Sequence, residues 1–269
     1  MLEEPLLQDG QLYPPPISRI FTSSFYIPFL SYITLFLLIQ YFVQKFLYTQ
    51  YTGFRQLKEC RQYRLRNLTV CLIHSMISGI WAFSFVLFHP YVFFFETMHW
   101  YQSWAAQLPL LSMGYFVCDT LDMLRHEISR WTIELLLHHT ASLFVFACSV
   151  LPQKFLPYAY GALLMEVNSI FLHIRTLMQI TGKNKTEEKK FHVVQTLNIT
   201  TFVVFRFAVQ TWQITWAWVY RYDMHIFYVF VGVVGGGFFL IVNTILFVRV
   251  LASDGYLGEY GRKHTAIDR

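Results

Sequence analysis

Charged side chains are scarce in this chain: Asp, Glu, Lys and Arg make up 14% of 269 residues, against 55% hydrophobic and 19% aromatic. Soluble globular domains carry roughly a quarter of their residues charged, so a water-soluble fold is excluded at the outset. Cysteine is sparse too. Cys60, Cys71, Cys118 and Cys148 are scattered without metal-ligand spacing, and three lie in apolar stretches, where thiols serve as packing residues. No cleavable leader is expected, because the start MLEEPLLQDGQLYPPP is acidic and proline-rich where a signal peptide is basic and then apolar. Residues 1–24 read instead as a disordered tail, in which Glu3, Glu4, Leu6 and Leu7 loosely match an acidic dileucine pattern. No polar stretch is long enough for a separate soluble domain.

What the chain has is apolar length. Seven segments, near residues 25–47, 68–88, 105–124, 131–150, 158–180, 191–220 and 226–250, match the roughly 20 residues a helix needs to cross ~30 Å of hydrocarbon. Lipid cannot satisfy exposed backbone groups, so the expected fold is all-α: a polytopic membrane protein of about seven transmembrane helices. The first is read as an anchor, and residues 253–269 as a C-terminal tail. The net charge of +5 does not indicate nucleic acid, because the basic residues sit in short loops beside apolar helices. Sixteen Lys and Arg fall at one end of the alternating spans and three at the other. That bias places the N-terminus outside and the C-terminus in the cytoplasm. Residues 48–67, with Arg55, Lys58, Arg61, Arg64 and Arg66, are expected on anionic lipid at the cytoplasmic face or in a solvated loop. The link 91–103 has no Lys or Arg, and its Tyr91, Trp100 and Tyr101 suit headgroup depth at the opposite end.

Ionisable groups inside hydrocarbon cost a few kcal/mol or more each, so those present need a shared reason. The stretch WTIELLLHHTASLFVFACSV holds Glu134, His138 and His139. Helical geometry stacks Glu134 over His138, where the carboxylate is expected to orient the imidazole, and turns His139 about 100° away. In GYFVCDTLDML, Asp119 and Asp122 share a face, with Arg125, His126 and Arg130 following as expected neutralising groups. In HSMISGIWA, His74 and Ser78 share a face and Gly79 allows close helix approach. In LLMEVNSIFLHIRTLM, Glu166, Ser169 and His173 form one polar face, and Asn168 and Arg175 a neighbouring one. Asn198, Arg206 and Asn243 are strongly polar residues within the last two spans. Arg206 is expected to need a carboxylate partner, Glu166 or an aspartate of the third span, or a water-filled cavity; a salt bridge to Glu166 is likewise expected for Arg175.

In this order, HSMISGIWA, GYFVCDTLDM, ELLLHHTASL and LLMEVNSIFLHIRTLM resemble the TLC domain, over about residues 60–252. That domain is shared by translocating-chain-associating membrane proteins, Lag-type ceramide synthases and a neuronal ceroid-lipofuscinosis protein. The chain is similar above all to the small plasma-membrane TLC-domain proteins, which read nearly alike through EVNSIFLHIR. The resemblance implies a six-helix core and membrane lipids and fatty acyl chains as partners. It further implies a role in limiting incorporation of polyunsaturated acyl chains into phospholipids, and so in restraining fluidity, at the plasma membrane; the endoplasmic reticulum is the alternative location.

The ceramide synthase branch implies the alternative function, acyl transfer from acyl-CoA. His138 and His139 match that branch's pair, whereas Asp119 and Asp122 precede it instead of following in an acidic run, and the homeobox-like insert is lacking. Catalysis would make one imidazole a base or acyl acceptor, with His138, His139, Asp119 and Asp122 as the acting residues. The bland reading is a buried polar cluster that locks helix packing. His74, Glu134, Glu166, Asn168, His173, Arg175 and Arg206 are the supporting cluster in either case. No metal site is read, since adjacent His138 and His139 cannot both face one ion without distorting the helix. No cofactor is implied, acyl-CoA entering only as a substrate of the alternative.

Overall fold

A computed structural model describes residues 17–126 and 130–258. Most of the expected N-terminal tail, residues 259–269 of the C-terminal tail and the side chain of Arg130 lie outside the described residues. Among the described residues the secondary structure is helical, without a strand. The helices are α1 (Ser23–Gln50), α2 (Glu59–Phe88), the short α3 (Pro90–Phe95), α4 (Ser103–His126), α5 (Arg130–Val150), α6 (Leu156–Leu163) and α7 (Met165–Ile180). They continue with α8 (Lys183–Thr186), α9 (Glu188–Phe202), α10 (Val209–Val219), α11 (Ile226–Phe230) and α12 (Gly236–Ser253). A π-helical turn, Val203–Ala208, fuses α9 to α10, and a second, Val231–Gly235, fuses α11 to α12.

Seven rods result, matching the seven apolar segments, with α6 and α7 forming one rod broken at Leu164. Five rods, all but α4 and α6–α7, are long and apolar enough to cross a membrane. The other two carry more polarity and are enclosed: α4 buries 15 of its 24 residues, Asp119 and Asp122 among them. The rods alternate, so residues 51–58, 181–187 and 254 share a basic end, and 89–102, 151–155 and 220–225 an aromatic end. Because α2 begins at Glu59, half of the basic segment expected as loop or surface stretch is helix, and its Arg66 faces inward.

In lipid no hydrophobic force drives helices together, so contact relies on close approach and hydrogen bonding. Gly79 lets α2 touch α7: a Cβ there would sit 2.9 Å from the backbone of Glu166 and Val167. Gly114 does the same for α4 against α1, where Tyr32 Cβ would lie at 2.7 Å. Helix α1 buries only a stripe, Phe25, Phe36, Val43 and Leu47, and turns the rest outward, consistent with an anchor.

At the aromatic end the loop 151–155 acts as a clasp. Gln153 and Phe155 both adopt φ of 56°, a left-handed conformation that costs non-glycine residues about 1 kcal/mol or more. Contacts with neighbouring segments hold it. The Phe155 amide donates to Met98 O at 2.9 Å, Arg19 donates to Leu151 O at 3.2 Å, and buried Lys154 donates to His99 Nδ1 at 3.1 Å. Partial burial, and then the Lys154 ammonium, hold His99 below its ordinary range near pH 6.5. A histidine depressed in the fold takes up its proton more readily when unfolded, so its contribution to stability is complete above about pH 6.5 and declines as pH falls. His99→Gln is expected to flatten that acid limb in melting curves from about pH 8 to pH 5; an unchanged limb refutes the assignment.

Candidate functional site

The interior polar residues fall into two layers. Near the basic end, Arg66 Nη2 clamps both oxygens of Asp122 at 2.6 and 2.8 Å, and Asn67 Nδ2 donates to Asp119 at 2.5 Å. His126 closes over Asp122, its Nδ1 2.8 Å from the backbone carbonyl and 3.5 Å from the carboxylate. Asp122 is thus neutralised mainly from α2, not by Arg125, which is exposed. Arg175 is locked to Asp254 through Nε at 2.8 and 3.0 Å and through Nη2, which also donates to Ser253 at 2.8 Å. Glu134 takes two bonds from Arg249, at 2.7 and 2.9 Å.

These pairs correct two expectations. Glu134 orients Arg249 rather than His138, because a guanidinium offers two charged donors where a neutral imidazole offers one. Arg175 pairs with Asp254 rather than Glu166, since it lies near the basic end and Glu166 near mid-depth.

The mid-depth layer is built on α2, α7 and α9–α10. His74 is buried, its Nε2 3.1 Å from Ser112 Oγ and its ring stacked on Tyr115 at 3.9 Å. Its Nδ1 lies 3.9 Å from Glu166 Oε2, which accepts a bond from Ser75 at 2.6 Å. Arg206, carried by the first π turn, donates to Asn168 Oδ1 at 2.6 Å, Asn243 Oδ1 at 2.8 Å and Ser169 Oγ at 2.9 Å. The expected carboxylate contact is replaced by neutral acceptors, because the π turn aims the guanidinium at the polar faces of α7 and α12. Asn168 in turn donates to Asn198 and Thr201.

The two histidines separate. His139 is buried, with Nε2 3.7 Å from Asp119 Oδ2 and Nδ1 3.3 Å from Thr120 Oγ1. His138 is half-buried, edge-on to Phe239 of α12 at 5.3 Å, and among the described residues neither of its ring nitrogens has a hydrogen-bond partner. His173 of α7 is half-buried and likewise has no side-chain hydrogen-bond partner among the described residues. Of the adjacent pair, His138 keeps both ring nitrogens without a hydrogen-bond partner among the described residues, and His139 is tied into the α4 contact.

Helices α5 and α12 meet at Glu134–Arg249 and again at His138–Phe239. Further towards the aromatic end a cavity of about 40 Å³ lies where α5 faces α6, α10, α11 and the second π turn, lined by Val145, Cys148, Trp216, Tyr228 and Gly232. The polar groups of the two layers bond one another directly, and this cavity is apolar. Among the described residues no group of three or more His, Cys, Asp or Glu is placed to hold a metal ion.

The TLC domain profile matches residues 64–252, from α2 to the end of α12. The chain belongs to the TLC-domain family. It is 30% identical to TLC domain-containing protein 2 of Danio rerio over 71% of this chain and 77% of that protein. It is 33% identical to TLC domain-containing protein 1 of Gallus gallus over 72% and 75%, and 28% identical to TLC domain-containing protein 2 of Homo sapiens over 70% of each. The matched TLC span contains both polar layers except Ser253 and Asp254, and it leaves out α1, which supplies none of their residues. Sequence reasoning missed Asp254, which it assigned to the tail, and Asn67, which it did not place in the site. A carboxylate directly after a long apolar span was the available signal for Asp254.

Proposed function

We propose that this multi-pass protein sets the acyl composition of membrane phospholipids, limiting incorporation of polyunsaturated chains and so restraining fluidity. The role is the one the TLC resemblance implies, at the plasma membrane with the N-terminus outside and the C-terminus cytoplasmic. The observation that carries it is the placement of His138: a half-buried imidazole, without a hydrogen-bond partner among the described residues, on the α5/α12 seam. Such a group is placed to meet lipid chains laterally.

The second reading is acyl transfer. His138 would take a proton from an acceptor hydroxyl or amine, the acceptor would attack the thioester carbonyl of acyl-CoA, and the C–S bond would break with the thiol leaving protonated. The same imidazole favours this reading, but the route from the basic end is crossed by the Glu134–Arg249 pair. Lipidomics of cells lacking the protein tests both readings. Rescue with His138→Ala is expected to leave polyunsaturated phospholipids raised, while producing folded protein at normal level. His139→Ala is expected to lower folded protein as well, since it abandons Asp119 and Thr120. Full rescue by His138→Ala removes His138 from both readings.

A further inference from the structure

The polar network around Arg206 has more donors than acceptors. A guanidinium carries five N–H groups, and Arg206 uses one on each nitrogen, towards Asn168, Asn243 and Ser169, all neutral. One N–H therefore remains on each terminal nitrogen. Among the described residues no carboxylate lies within ion-pair distance; Glu166 acts on Arg206 only from further away and is held by Ser75. A second donor is stranded in the same network. Asn198 is fully buried, its Oδ1 and backbone carbonyl accept from Asn168, and its Nδ2 has no partner. Rotating that amide would bring two donors face to face, so the excess does not come from an inverted side chain.

A buried cation with two spare N–H groups, beside an unsatisfied amide donor, lacks an anionic oxygen group. Two N–H groups on the terminal nitrogens of one guanidinium suit the two oxygens of a carboxylate. At mid-depth a single negative charge is also the least costly to desolvate, which disfavours phosphate. Access is lateral. Arg206 bonds Asn243, one turn along α12 from Phe239, whose ring meets His138 edge-on at 5.3 Å. From His138 to Cys148, which lines the apolar cavity, α5 rises about 15 Å, the length scale of an extended alkyl chain.

We infer that Arg206 is the receptor for the carboxylate of a free long-chain fatty acid, which enters between α5 and α12 and lays its tail towards the cavity at Cys148. This deepens the reading above by naming a substrate class, and it rests on that reading for its biological meaning.

The test is binding of a photoreactive palmitic acid analogue to the purified full-length protein in nanodiscs, with competition by palmitic acid, hexadecanol, methyl palmitate and hexadecyl phosphate. Palmitic acid is expected to compete at least tenfold better than the alcohol and the ester, and better than the phosphate. Arg206→Gln is expected to remove the preference for acid over alcohol, and Arg206→Lys to keep part of it. Equal competition by acid and alcohol, or stronger competition by the phosphate, overturns the inference, and both comparisons need only the wild-type protein. Retained preference in folded Arg206→Gln overturns it too. A wild-type preference alongside full lipid rescue by His138→Ala sinks the proposed role of His138 but leaves the receptor standing.

Discussion

Asp254→Ala is expected to cost about 3–5 kcal/mol of folding stability, because it leaves a guanidinium enclosed in protein without its counter-charge. The Asp254 side chain is fully buried and that of Arg175 is 5% exposed, so water cannot take over the lost contacts. What remains for Arg175 is Ser253 at 2.8 Å and a long bond to Gln179 at 3.4 Å, both neutral. The penalty comes from the stranded charge more than from the lost attraction, which makes the double variant informative. Arg175→Met with Asp254→Ala is expected to recover most of the loss, since a well-packed apolar pair is often as stable as a buried ion pair. Unfolding of the purified protein in detergent micelles reads both. Wild-type stability in Asp254→Ala, or a double variant no better than the single, contradicts this account. The pair also fastens the end of α12 to α7, just past the matched family span.

The helices were legible because lipid simplifies the code: a span needs apolar length, and all seven rods follow segments that have it. Local periodicity also told which residues share a face. It placed Asn168 and Arg175 together, and both are buried. It singled out Gly79 for close approach, and α7 backbone lies against that glycine. Periodicity does not reveal which distant helix a face meets. Glu134 finds Arg249 across 115 residues and Arg175 finds Asp254 across 79, so a carboxylate stacked neatly over His138 bonds elsewhere. The two π turns left no mark either. Neither Val203–Ala208 nor Val231–Gly235 contains proline, and their backbone angles lie close to α-helical, yet the first decides what Arg206 touches. The split between His138 and His139 likewise depends on α4 and α12 being present, one on each side.

The helix contact beneath the mid-depth layer gives the other large effect. Gly79→Leu is expected to destabilise the protein by at least the 1–3 kcal/mol typical of overpacking, because the obstacle is backbone and cannot rotate away. Its first added carbon would meet the Glu166 carbonyl carbon and the Val167 nitrogen, both at 2.9 Å. Helices α2 and α7 must then separate, and the bonds that span them are short. Ser75 reaches Glu166 at 2.6 Å, and His74 stands 3.9 Å from the same oxygen. Any protein that still folds should therefore lose the lipid phenotype, because Glu166 would shift relative to His74 and His138. Gly237→Ala is the control: nothing lies within 4 Å of a Cβ there, so removing backbone freedom inside α12 should leave stability unchanged or raise it by up to about 1 kcal/mol. Equal behaviour of the two glycine variants in melting and lipid assays would show that close α2–α7 contact is not what holds this layer in register.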